Sequence, residues 1–177
     1  MKKTLYLLAE LSDRDFEWLI QVGKLYEIPT GGVLIHEGEP INALYLVLKG
    51  VLSVFVGALH DQEVAQLNRG EVVGEISFVD SRPPTATVKA AEDSIVWAIP
   101  RIELVRKMQQ DVAFAAHFYH ALAIFLADRL RATVSQPEFE EDSSTGQNEA
   151  VNPEIEGVIE LAQLRLNWLL KHLNIEH

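Results

Sequence analysis

The chain has 177 residues, 48% of them hydrophobic, and a formal net charge of −11. That suits one domain with an appendage and argues against a phosphate backbone as partner, because no basic patch denser than Lys2-Lys3 or Arg129 with Arg131 offsets the charge. Cysteine is absent, which excludes disulfides, thiolate metal sites and a cysteine nucleophile.

The apolar run Leu5 to Ala9 is too short for a signal-peptide core and ends at Glu10. No later run approaches the roughly 18 residues of a membrane span. A cytoplasmic protein without membrane contact is expected. Ser12 reads as a helix N-cap with Asp15 at the third helical position, Leu11 can staple onto Phe16, and Gly23 ends that helix.

From about Leu25 the apolar period becomes two. The strands expected are 33–36, 43–48, 51–56, 63–67, 71–73, 85–90 and 94–99. Gly31-Gly32, Gly38, Gly50, Gly70 and Pro83-Pro84 punctuate them. Short strands at regular spacing with such turn signals predict an antiparallel sandwich or barrel.

One connection stands apart. Gly70 to Val88 interrupts the strands with a short helical piece, Glu75 to Val79, after Gly74 and before Pro83-Pro84. The first N–H groups of such a turn lack internal partners and favour an anion. Two readings stay open for it, an anion cradle or an ordinary barrel corner. For Glu75 they are a ligand contact or a simple helix cap, and for Arg82 a ligand clamp or a solvated residue.

Pro100 closes the β region. A short helix follows over 101–109 and a long one over 111–134, capped by Asp111, with Arg129 and Arg131 where cations suit the helix dipole. The long helix carries two apolar stripes. One is Val112, Ala116, Tyr119, Leu122 or Ala123, Leu126 and Leu130. The other is Phe114, Phe118, Ala121 and Phe125. A helix on one side of a barrel needs one stripe. The phenylalanine stripe is therefore expected to meet a second subunit or the C-terminal helix, unless one subunit buries both. Residues 137–152 read as an acidic flexible linker: seven acids and no base lie between Pro137 and Gly157. Asn152-Pro153-Glu154 starts an amphipathic C-terminal helix over 153–177.

The order of these parts resembles the cyclic-nucleotide-binding domain family, which includes the sensor domains of the catabolite activator protein and the protein kinase A regulatory subunit. The residues that carry the resemblance are Gly31 or Gly32 before Val33-Leu34-Ile35, Glu37-Gly38, Ala43-Leu44-Tyr45 in a strand ending at Gly50, Gly70, Gly74-Glu75 and Ala86-Thr87-Val88. The resemblance covers roughly 11–134. It implies a mainly β fold with flanking helices, an antiparallel β-roll (double-stranded β-helix or jelly-roll) with a long C-terminal helix, in a domain over 1–136. It also implies a ligand site of Gly74, Glu75, Ile76, Ser77, Arg82, Thr85 and Ala86. There Glu75 would accept a ribose hydroxyl, Gly74 would admit the backbone, and Thr85 falls where some members carry a threonine linked with guanine preference. The implied ligand is cyclic AMP, cyclic GMP or another small anion. The phosphate-pairing arginine of the family aligns with Pro84, which supplies neither charge nor N–H. Arg82 lies two residues early.

Three classes of function follow: a regulatory sensor, an interaction or dimerisation module that has lost nucleotide binding, and a cupin-type metal enzyme. The last needs two histidines one residue apart and a carboxylate on one strand. His36 and His60 lie on separate segments, and His117 and His120 lie three apart on the long helix, where two readings stay open, a metal-binding pair or, more commonly, partly buried helix-face residues. No catalytic or metal-ligating residue is assigned. The expectation is a non-enzymatic sensor, a homodimer through the 111–134 helix with a possible protein partner, and no nucleic acid.

Overall fold

Alternation along two central strands builds the molecule. The computed structural model describes residues 6–59, 62–134 and 153–175, so the expected linker lies outside the described residues. Strands β3 (Ala43–Lys49) and β8 (Ser94–Pro100) pair antiparallel, with Tyr45 opposite Ala98 and Leu46 opposite Trp97. Both are apolar on both faces, and both faces are covered. Leu44, Leu46, Leu48, Trp97 and Ile99 turn to the helices. Tyr45, Val47 and Val96 turn to a second sheet.

The first sheet runs β1-β8-β3-β6, with β1 Lys24–Ile28 and β6 Val72–Val73 at its edges. The second runs β2-β7-β4-β5, formed by β2 Val33–Ile35, β7 Thr87–Ala90, β4 Leu52–Val56 and β5 Gln62–Leu67. All described pairings are antiparallel, which gives the expected β-roll. Its interior is lined by Ile28, Ile35, Val47, Leu52, Leu67, Val73, Val88 and Val96. The expected strands are present with ends shifted by one or two residues. Strand β1 is additional.

The helices pack on the outer face of the first sheet. They are α1 (Tyr6–Glu10), α2 (Asp13–Val22), α3 (Glu75–Asp80), α4 (Arg101–Gln110), α5 (Val112–Val134) and α6 (Pro153–His172). Ser12 caps α2 by accepting from Asp15 N–H at 3.2 Å, and Asp111 caps α5 through Phe114 N–H at 3.0 Å. The run after Leu5 is a core helix: Leu7 and Leu8 are buried. No described helix is long and apolar enough to cross a membrane.

The two stripes of α5 differ in burial. Phe114, Phe118, Ala121 and Phe125 are buried within this one chain, with Trp18 edge-on to Phe114 and Phe78 edge-on to Phe118. The phenylalanine stripe therefore needs no second subunit. Leu122 is buried too, so the other stripe runs through Ala123. That stripe is the one left open: Val112 is 79% exposed, Tyr119 48% and Leu130 65%. His117 and His120 are exposed rather than partly buried, and His120 Nδ1 lies 3.0 Å from Glu10 Oε2.

Helix α6 docks on α1. Ala162, Leu166, Leu169 and Leu170 enter the core, and Trp168 meets Phe16 edge-on. Arg165 enters with them, donating to Leu8 O, to Leu11 O at 2.6 Å and to Asp13 Oδ1 at 2.5 Å. The buried cation thereby satisfies carbonyls at the C-terminal end of α1, which have no partner inside the helix.

Candidate functional site

The seven residues expected at the site converge on one cavity. It has a volume of about 440 Å³ and opens between the end of the roll, α3 and the loop that follows. Its floor is roll interior: Ile35, Val54, Leu67, Val73 and Val88. Gly74, Glu75, Ile76 and Ser77 form one side, and Arg82, Thr85 and Ala86 another.

Backbone geometry explains Gly74. Its φ is +91°, and a Cβ there would lie 2.8 Å from Ile41 Cδ1. Only glycine turns β6 into α3 at this point without strain. The loop after α3 is tied back by Gly38 N–H donating to Pro84 O at 2.8 Å, while Glu37 N–H donates to Thr87 Oγ1.

Glu75 lines the cavity and is also held from outside its own helix. Its side chain is 3% exposed and is paired with Arg129 from α5. Burial pushes its carboxyl above the ordinary range, and the Arg129 charge offsets this only in part. Arg129 is therefore more than a cation at a helix end; it lines the cavity and lies over the Phe125 ring. A second arginine supports the cassette from behind. Arg101 at the start of α4 donates to Ser77 O at 3.0 Å and Ser81 Oγ at 2.9 Å, with its guanidinium over Phe78. It thus closes the C-terminal end of α3, where Ser81 sits at φ +59°. Neither arginine was assigned to the site from sequence, because each acts across a long chain separation that no local pattern records.

Arg82 borders the cavity mouth, but its side chain is 84% exposed and its Nε lies 3.9 Å from Asp80 Oδ2. Pro84 stands in the loop without charge. The charges lining the cavity therefore balance: Arg82 and Arg129 against Glu75 and Asp80. The floor is apolar, and the buried hydroxyl is that of Ser77.

Comparison with known proteins agrees with this geometry. The family model of the cyclic nucleotide-binding domain matches residues 26–111. The chain is 25% identical over 118 residues to a cAMP-dependent protein kinase regulatory subunit of Blastocladiella emersonii, covering 66% of this chain and 29% of that protein. It is 29% identical over 125 residues to the cAMP-activated global transcriptional regulator CRP of Salmonella typhimurium, covering 69% and 58%. The chain thus spans less than two thirds of either relative. A crystal structure of a cyclic nucleotide-binding domain from Methylobacillus flagellatus superposes with a TM-score of 0.67 at 22% identity, covering 74% of this chain and 78% of that one. Fold, cassette position and family match coincide over the same residues, and through them the part of the chain over 26–111 is similar to the cyclic nucleotide-binding domain.

Proposed function

We propose that the chain is a non-enzymatic regulatory sensor whose cassette cavity binds cyclic AMP and cyclic GMP weakly at best. The observation that carries this reading is the balance of charge in the cavity. A cyclic phosphate keeps one negative charge, and burying it without a counter-charge is costly. Arg129 is engaged with Glu75, Arg82 points to solvent beside Asp80, and Pro84 stands at the position the resemblance gives to the phosphate-pairing arginine. The residues present suit a compact ligand with a large apolar face better than an exposed anion.

Signal output runs through α5 in this reading. Val112, Ala116, Tyr119, Ala123, Leu126 and Leu130 recur at spacings of four and three, the pattern of a two-helix seam. The occupant is the same stripe of a second copy, so the working form is a homodimer. The same helix carries Arg129 and joins the cavity to that seam. The protein works in the cytoplasm without nucleic-acid or membrane contact.

Thermal-shift assays with cyclic AMP, cyclic GMP and cyclic dinucleotides test the ligand reading. Little or no shift is expected at micromolar ligand, and a large saturable shift would contradict it. A second reading, an interaction module without a ligand, is favoured by the further ridge of Leu161, Leu164 and Trp168 exposed on α6. It gains if repair of the phosphate position restores no binding.

A further inference from the structure

The roll has a second hollow, at the β1 end of the first sheet. One cross-strand row creates it. Lys24, Ala98 and Tyr45 stand side by side on β1, β8 and β3. They share a face with Ile28, Val96 and Val47, which line the roll interior. The next row pairs Ala43 with Pro100. Ala98 and Ala43 are too short to fill the space between their neighbours, and about 670 Å³ remains open. That lies within the roughly 300–1,000 Å³ of small-molecule sites. The other lining comes from the turn after β1, with Pro29 and Gly32, and from Leu34 of β2. Gly32 allows this turn to come close: a Cβ there would lie 2.9 Å from both Ile28 Cγ2 and Pro29 O.

The polar groups around this hollow are unspent. Among the described residues none forms an ion pair with Lys24, and none hydrogen-bonds the hydroxyl of Tyr26 or Tyr45. An unpaired lysine is notable in a chain of net charge −11. Glu27 borders the rim, but alternation turns its side chain to the opposite face from Lys24 and Tyr26. Burial raises the Tyr45 phenol above its ordinary value of 10.0, with Tyr26 adding to the rise, so it stays an O–H donor at neutral pH. No residue lines both hollows. Tyr45 stands between them, opposite Ala98 on one side and Val73 on the other.

We propose that this hollow is a second binding site, for a small aromatic carboxylate. The ring lies over Ala98 and Ala43 between the two tyrosines, and the carboxylate meets Lys24 at the rim. Apolar floor, flanking phenols and one unpaired cation match the three parts of such a molecule. The site is separate from the cassette and independent of what the cassette binds.

NMR titration of the full chain with 4-hydroxyphenylacetate, and with uncharged 4-hydroxyphenylacetamide, tests this. The acid should produce saturable shifts at the amides of Lys24, Ala43 and Ala98. Loss of the charged partner, in the amide probe or in Lys24→Met, should weaken binding about tenfold or more. Ala98→Leu should abolish the shifts by filling the space. Should that variant fail to fold, Lys24→Met decides, since Lys24 is exposed. Three results would overturn the proposal: no saturable shift at those amides with acid at about ten times a millimolar Kd, equal binding of acid and amide, or shifts confined to Gly74–Ser77.

Discussion

Glu75 and Arg129, 54 positions apart in the chain, meet in the cassette cavity, and the carboxylate is the more deeply buried partner, 3% exposed against 36%. The site is therefore internally neutralised. Its acid answers to a helix that also presents an apolar seam to solvent.

Removing Arg129 should leave the buried carboxylate uncompensated. A fully buried pair broken this way costs about 3–5 kcal/mol, and the partial exposure of Arg129 places its loss nearer about 2 kcal/mol. Urea unfolding of Arg129→Met checks this. The double variant with Glu75→Gln should recover most of the loss, since no charge is then stranded. A neutral Arg129→Met would show that the pair does not hold the cavity.

The raised carboxyl of Glu75 has a pH signature. A group that binds its proton more tightly in the fold than in the unfolded chain contributes stability when protonated. That contribution is full below the ordinary value of 4.5 and is lost as pH rises through the raised folded value. The stability of wild type minus that of Glu75→Gln should fall as pH rises from 4.5 towards neutrality, and other carboxylates cancel in the difference. A flat or rising difference would contradict the burial argument.

The exposed stripe of α5 should govern assembly and leave the core alone. Tyr119→Glu with Leu130→Glu should convert a dimer to a monomer by light scattering, with little change in Tm. Phe118→Ala should instead destabilise each subunit by about 3–5 kcal/mol, because Phe118 is fully buried. A monomeric wild type at micromolar concentration would remove the seam from the account.

Arg165 should be specific to its site. It feeds Leu8 O, Leu11 O and Asp13 and lies over Phe16. Lysine has neither the planar fork nor the stacking face. Arg165→Lys should therefore lose stability nearly as Arg165→Leu does, by about 2 kcal/mol or more. Full rescue by lysine would show that charge alone matters.

What the sequence disclosed, and what it did not, follows from the range of each interaction. β3 and β8 alternate on two apolar faces, and Gly74-Glu75 before Pro83-Pro84 marks a special turn by spacing alone. β1 was invisible because it is an edge strand in which four of five residues are exposed. The stripes of α5 were legible, but which of them is buried was not, because the sequence does not say that α1, α2 and Phe78 cover the phenylalanines. Arg129, Arg101 and Arg165 each act on a partner more than 20 residues away. Read locally, each is an ordinary helix cation.

The most direct test of the central claim is titration calorimetry with cyclic AMP and cyclic GMP on wild type, Pro84→Arg and Arg82→Ala. Loss of a charged partner for a buried anion costs about 3–5 kcal/mol, or roughly two to four decades in affinity. Wild type should bind weakly or unmeasurably, Arg82→Ala should bring no further change, and Pro84→Arg should bind measurably. Micromolar binding by wild type that Arg82→Ala abolishes would contradict the claim and make Arg82 the phosphate's partner.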